Sequence, residues 1–413
     1  MSDALRLPLT PSRSRFVLCL LGALSVITPL SIDMYLPAFP QMAHYFQTAG
    51  ATISLSVSTY FVGLAIGQVF YGPVLDRFGR KIPLLVGLSF FVLASIACSQ
   101  APNVPALLVL RFIQGFAGCV ASVGCIAMVR DFFPASESAR VFSRLFLFVG
   151  VSPLLAPSLG GLLLLISGWK AIFFVLAAIA LSVAILIGTR LPEGHQPDPT
   201  ISLRPGPVLA EFLVILRHPQ FLTYTLGGTF SFAGLFAFVA GSPLVFMEGF
   251  HLTSTQYSGV FALLTSGFIG ASQVNVFLLR HLRSEVIFSR ALFLQSVAAV
   301  LFAIGSWFQW FDFAATLGFF FVILACAGLT NPNGSALALL PFHKNVGSAS
   351  ALMGFLQLGI GAAVSTGIGI CATRSSFPVI AILALSSLTG ILILAFGRSR
   401  MRAFAERAVA FAD

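Results

Sequence analysis

The chain has 413 residues, 58% hydrophobic and only 9% charged, with a mean hydropathy of +0.98 and a formal net charge of +10. Soluble domains run at about 25% charged residues and disordered chains are far more polar, so this composition excludes both classes. The apolar residues come in unbroken runs, not in the alternation of a membrane β-barrel, which predicts helices that close their own backbone hydrogen bonds.

Twelve such runs follow one another, near 16–38, 51–71, 82–99, 105–128, 145–166, 169–188, 220–246, 256–279, 287–308, 313–338, 347–370 and 376–396. Each is close to the ~20 residues that cross about 30 Å of hydrocarbon. The first run starts after Arg13 and Arg15 and has no small-x-small cleavage site behind it, so it reads as an uncleaved span. It ends in PLSIDMYLPAFP, residues 29–40, which carries Asp33. An acid costs about 2.5–3.5 kcal/mol at the centre of a membrane helix on insertion scales, so its presence calls for an offset or a function.

Between the second and third runs lies GPVLDRFGRK, Gly72–Lys81. Gly72 suits a close helix approach and Gly79 a tight turn. Asp76 suits a cap for the next helix start and a pairing with a nearby arginine, Arg77 or Arg80, and Lys81 closes the motif. The fourth run holds LVLRFIQGFAGC, residues 108–119. Arg111 is the only basic residue well inside a run, since Lys170 and Arg290 stand at run ends, and Asp33 is the only carboxylate so placed. A lone acid and a lone base in the first and fourth spans of one half can face the same cavity, with Asp33 carrying a proton and Arg111 paired to it. Plainer readings stand beside this one: Asp33 caps the broken helix end before Pro37, and Arg111 snorkels or pairs structurally. Gln114, three residues from Arg111 on the same helical face, is a candidate for hydrogen bonds to a substrate.

The linker at 190–219 is proline-rich and mixed in charge, with VLAEFLVILR as a short amphipathic helix for the inner surface. It divides the chain into residues 1–189, the linker, and residues 220–413. The two parts echo one another, the basic turn at Asp76–Lys81 matching that at Arg280–Arg283, in the manner of transporters built from two parallel halves. In the second part, Phe232 and Phe236 suit an aromatic wall or ordinary packing, and Gln357 is a buried polar group facing the cavity. TNPNGS, residues 330–335, reads as a bend or a fixed kink in the tenth span.

With both termini inside, the outer loops keep only Lys170 and Arg374, and every other lysine and arginine outside the spans falls on the inner side. That asymmetry is the positive-inside rule, and it places the chain in the cell inner (plasma) membrane with both termini cytoplasmic. The basic residues are spread over seven inner segments, which argues against a nucleic-acid partner. The six cysteines form no CxxC and read as small packing residues. The six histidines offer no HExxH and no i, i+4 pair, so neither a metal nor another cofactor is expected.

The G-x-x-x-D-R-x-G-R-K pattern of Gly72–Lys81 resembles the inner-loop signature of the major facilitator superfamily. Residues 108–119, with Arg111, Gln114 and Gly115 in place, resemble its fourth-span signature. SPLLAPSLGG, residues 152–161, resembles the fifth-span motif of antiporters in Pro157, Gly160 and Gly161, while Ser152 and Ala156 stand where glycine is usual. IDMYLPAFP, GWKAIFF and GSASAL are similar to phrases of the bicyclomycin-resistance (Bcr/CflA) branch of the drug:proton antiporters. The resemblance implies an all-α membrane fold of twelve helices in two six-helix halves, an alternating-access cycle that exchanges a drug-like, partly apolar small molecule for protons, and a monomer. Ser25 stands where some such exporters carry a second acid, a departure that weakens cation recognition. The alternatives are a specific metabolite or sugar exporter of the same fold and, in a different class, a membrane-embedded enzyme or sensor. The enzyme lacks a catalytic cluster at depth and the sensor an added soluble domain.

Overall fold

The computed structural model describes residues 11–133, 135–191, 197–198, 205–342, 346–372 and 377–410. Lys344 and Arg374, used above for orientation, lie outside them, as do the first ten residues, the last three and much of the linker. Among the described residues the regular structure is helical throughout, and twelve helical stretches are long and apolar enough to cross a membrane.

In the first part of the chain, α1 is Pro11–Asp33, a 3₁₀ turn follows at Leu36–Ala38, and α2 is Phe39–Tyr45. Then come α3 (Gly50–Phe78), α4 (Lys81–Ser99), α5 (Val104–Phe132), α6 (Ala135–Ser167) and α7 (Trp169–Arg190). A short helix, α8 (Pro205–Leu216), occupies the amphipathic stretch of the linker. In the second part, α9 (Pro219–Ser242) continues into a π-helical turn at Pro243–Gly249. It is followed by α10 (Ser254–Leu278), α11 (Ser284–Trp307), α12 (Phe313–Leu339), α13 (Val346–Cys371) and α14 (Phe377–Ala410).

Helix starts follow local chemistry. Asn103 caps α5 by accepting from the Ala106 N–H at 2.9 Å, Thr253 and Gln256 form a reciprocal capping box on α10, and Asp312 caps α12 at the Ala315 N–H. Several helices outrun the apolar runs that announce them. α3 continues to Phe78, α5 to Phe132, and α6 begins at Ala135, ten residues before its apolar run. Hydropathy marks the hydrocarbon layer, whereas helical hydrogen bonding carries on through the headgroup region. The prolines inside α1, α3, α6 and α12 remove a backbone donor without ending those helices. In particular, α12 runs unbroken through Pro332, so TNPNGS is not a break.

The helices gather into two compact units: Met1–Thr48 with Thr59–Leu203, and Ala49–Ser58 with Arg204–Asp413. In the first, α4 packs on α5 and α7, and α1 on α5 and α6. In the second, α9 is the most enclosed span, packed against α12, α13 and α14, while α11 joins α12 and α14. α8 packs on α9 and α13, so the second unit starts inside the expected linker and not after it.

Candidate functional site

Asp33 is the last residue of α1. Pro37 lies in the 3₁₀ turn just beyond it, and the chain reverts to helix at Phe39. The carboxyl is 5% exposed and makes no hydrogen bond or ion pair with any described residue. The capping reading of Asp33 therefore has no bond to support it. The helix end is tied instead by Arg111, whose Nη2 donates to the Ser31 carbonyl at 3.1 Å, and by the Met34 N–H, which donates to the Leu30 carbonyl at 3.1 Å.

Arg111, in α5, is wholly buried. Its guanidinium lies between two tyrosine faces, 4.4 Å from the Tyr35 ring centre and 4.3 Å from that of Tyr60, with Phe173 at 5.9 Å. Nη1 donates to Gln114 Oε1 at 2.5 Å and Nη2 to the Ser31 carbonyl at 3.1 Å, while Nε has no acceptor. No ion pair joins Arg111 to Asp33, so the expected pairing is absent from this structure. The cation is held by ring faces, worth about 2 kcal/mol or more when desolvated, and by hydrogen bonds to a charged donor, worth about 1.5–3 kcal/mol each. These offset the several kcal/mol that burying the charge costs. Gln114 is fully buried and committed at both ends, its Nε2 donating to Ser95 Oγ at 2.7 Å. Its amide is engaged at both ends and fixes Arg111.

Two glycines set this geometry. A β-carbon at Gly115 would overlap the Tyr60 carbonyl, so only glycine lets α3 bring the Tyr60 ring onto Arg111. A β-carbon at Gly160 would overlap the Met34 carbonyl, one residue past Asp33. The fifth-span motif is thus the seat on which the end of α1 rests, with Pro157 and Gly161 buried beside it.

At the other end of this unit the Gly72–Lys81 turn is locked by charge. Gly79 takes φ +78°, a left-handed conformation that favours glycine. Arg80, 6% exposed, donates from Nε to Asp131 Oδ2 at 2.7 Å and from Nη2 to Asp131 Oδ1 at 3.4 Å, and from Nη1 to Asp76 Oδ1 at 2.6 Å. Burial pulls its pKa down, but the bonds and charges of Asp131 and Asp76 outweigh that and leave it raised. Asp76 sits within α3 and pairs with Arg80; it does not cap α4, whose cap residue is Arg80 itself with no side-chain cap bond. Arg77 lies 5.8 Å over the Phe78 ring. Lys81 Nζ donates to the Leu191 carbonyl at 3.4 Å, and the Asp198 N–H to the Asp76 carbonyl, which ties the start of the linker to the turn. Gly72 does not serve close packing here, since a β-carbon there would meet nothing within 4 Å.

In the second unit, Phe232 and Phe236 form an edge-to-face pair at 5.2 Å. Phe236 is buried against Gly361 of α13, which makes it packing, whereas Phe232 is half-buried and also meets Phe268. Gln357 Nε2 donates to Asn331 Oδ1 at 3.0 Å. That pair lines a small polar pocket with Thr225, Thr229, Ser335 and Met353, and the buried Thr225 hydroxyl has no partner. Deeper in, Ser231 bonds both Gln295 and Thr330, and the Gln295 amide donates to the Ser231 carbonyl at 2.9 Å.

The family model for the Major Facilitator Superfamily matches residues 21–366. The chain belongs to that superfamily. Among its relatives is the uncharacterized MFS-type transporter YdgK of Bacillus subtilis, 32% identical over 93% of this chain and 95% of that one. The bicyclomycin resistance protein homolog of Haemophilus influenzae is 30% identical over 85% and 88% of the two chains. The multidrug resistance protein MdtL of Escherichia coli is 31% identical over 84% and 86%. Two solved structures share the fold: a D-xylose–proton symporter, with a TM-score of 0.69 at 16% identity over 91% of this chain and 96% of that one, and a bacterial homolog of the lysosomal transporter Spinster, with 0.66 at 14% over 94% and 96%. The twelve-helix superfamily fold and the drug-resistance relatives are those the sequence motifs implied.

Four residues of these networks escaped the sequence reading: Tyr35, Tyr60, Asp131 and Gln295. Only six tyrosines stand among 43 phenylalanines, so a tyrosine inside an apolar run is itself a signal that a polar or charged group lies near. Gln295 is a lone amide in the apolar ninth run. Asp131 stands past the fourth run, where nothing local announces a partner 51 residues back.

Proposed function

We propose that this chain exports small, partly apolar compounds in exchange for protons, by alternating access, across the cell's inner (plasma) membrane, as a monomer with both termini cytoplasmic. The observation that carries the reading is Asp33: a buried carboxyl with no protein partner among the described residues, at the broken end of a span, beside a helix end that a buried arginine holds. A group so placed exchanges a proton with little local rearrangement. Arg111 is a positioning residue that keeps a fixed positive charge near this end of α1 and bonds the carbonyl of Ser31, two residues from the acid. Proton entry down the membrane potential supplies about 2.3 kcal/mol per 100 mV, plus its concentration term, to move the compound outward. In the second unit the pocket of Thr225, Asn331 and Gln357, about 10 Å³ and so the size of one water, has no charged side chain among the described residues, and Phe232 offers a ring face. The names of the relatives in Haemophilus influenzae and Escherichia coli make bicyclomycin and a multidrug panel the first compounds to try.

The test is Asp33→Asn in energised everted vesicles. Proton-driven accumulation of a compound that the wild type exports falls to background, because an amide carries no proton, while binding of that compound to the purified variant persists. Wild-type export rates in the Asn variant overturn the proton role.

A further inference from the structure

A groove of about 730 Å³ opens between the start of α9 and the far end of α14. That volume falls within the range of small-molecule sites, about 300–1,000 Å³. Its rim carries two arginines, Arg217 just before α9 and Arg400 at the very end of the span Phe377–Met401 in α14. Below them the wall is apolar in helical steps. Leu222 and Leu226 descend from Arg217, while Phe396 and Leu392 descend from Arg400 at four and eight residues, a depth of about 12 Å at 1.5 Å per residue. Phe396 is 70% exposed and Leu392 54%. The three hydroxyls of the groove, Thr223, Thr389 and Ser399, donate to carbonyls of their own helices and are spent.

Arg398, two residues before Arg400, bonds Ser289, whereas neither Arg217 nor Arg400 has a side-chain hydrogen bond or ion pair with any described residue. No acidic residue lines the groove among the described residues. Two unpaired cations thus share one mouth, and an anion between them would relieve their repulsion. On the proposed orientation they stand at the level of the inner-leaflet headgroups, where basic pockets between spans collect anionic lipid.

We infer that this groove is a binding site for one anionic phospholipid, its phosphate between Arg217 and Arg400 and an acyl chain along Leu222, Leu226, Leu392 and Phe396. The occupant is a lipid and not a free phosphate, because the cleft below the arginines is apolar and open to the bilayer.

The full chain is purified as wild type and as the Arg217→Gln/Arg400→Gln double variant, and phosphatidylglycerol retention is measured by mass spectrometry. The melting temperature is followed while phosphatidylglycerol or phosphatidylcholine is added. At about five-fold per basic residue near a membrane surface, the double variant binds phosphatidylglycerol about thirty-fold more weakly and loses the rise in melting temperature, with its behaviour in phosphatidylcholine unchanged. Both arginines are exposed, so the variant folds; Leu226→Trp, which fills the groove with the arginines intact, gives the same loss independently. Equal phosphatidylglycerol retention in wild type and double variant overturns the site, and so does equal stabilisation by inorganic phosphate, which would make it a site for a free anion. The readout is lipid binding and not export, so it stands or falls apart from the proton-exchange reading.

Discussion

Replacing Asp131 by alanine removes the stronger partner of Arg80. Arg80 and Asp131 side chains are 7% and 12% exposed and share two hydrogen bonds, whereas the Asp76 side chain is 49% exposed and supplies one. A hydrogen bond to a charged group is worth about 1.5–3 kcal/mol, and breaking a buried pair costs about 3–5 kcal/mol because the remaining charge is left without compensation. Here Asp76 still bonds the guanidinium, so the cost of Asp131→Ala falls between these limits at the lower end, about 2–3 kcal/mol. Asp76→Ala breaks a half-solvated pair and costs about 0–1 kcal/mol. The apparent melting temperatures of the purified variants should fall in the order Arg80→Ala, then Asp131→Ala, then Asp76→Ala, with Arg80→Ala lowest. Double-variant cycles should give a coupling of about 2 kcal/mol for Arg80 with Asp131 and under about 1 kcal/mol for Arg80 with Asp76. If this network forms in one transport state only, about 2–3 kcal/mol shifts the balance of states by about thirty- to 150-fold, and turnover falls while compound binding remains. An Asp76→Ala variant as unstable as Asp131→Ala would refute the assignment of Asp131 as the principal partner.

Glycine substitutions separate packing from sequence pattern: Gly160→Ala should lower the melting temperature and slow export, because its β-carbon meets the Met34 carbonyl and displaces the end of α1. Gly72→Ala should be neutral or stabilising by about 0.5–1 kcal/mol, since it lies within α3 with open space beside it; a loss of stability there would show a contact the structure lacks. Gln114→Leu leaves Arg111 Nη1 without its acceptor and should cost about 1.5–3 kcal/mol in thermal stability, against about 1 kcal/mol for Gln357→Leu, whose amide is half-exposed in a pocket. Equal costs would remove the distinction between a positioning amide and a pocket amide.

What the sequence made legible was set by the solvent. In a bilayer each span must be a continuous apolar helix, so twelve runs become twelve helices with little room for another outcome. The same rule makes a polar residue in a run conspicuous, and Asp33, Arg111, Gln114 and Gln357 were all found that way. Their partners were less visible because they are set by helix packing. Arg111 looked for an acid and found two tyrosine rings and a carbonyl. For Asp76 the motif offers a nearby arginine without choosing between Arg77 and Arg80, and the better partner of Arg80, Asp131, stands on another helix.

The fifth-span motif shows the difference most clearly. As a pattern, Gly160 marks only a place where small residues permit close packing. In the structure it marks one atom, the Met34 carbonyl, next to the acid that the proposed mechanism turns on. A motif associated with antiporters thereby acquires a physical role. Its glycine lets α6 seat the broken end of α1, so that a helix end with free backbone groups can be buried where Asp33 is needed. On this view the glycine and the acid are one device. A chain that kept the acid and filled the seat would hold a carboxyl at the wrong depth, and a chain that kept the seat and lost the acid would fold and bind but exchange no proton.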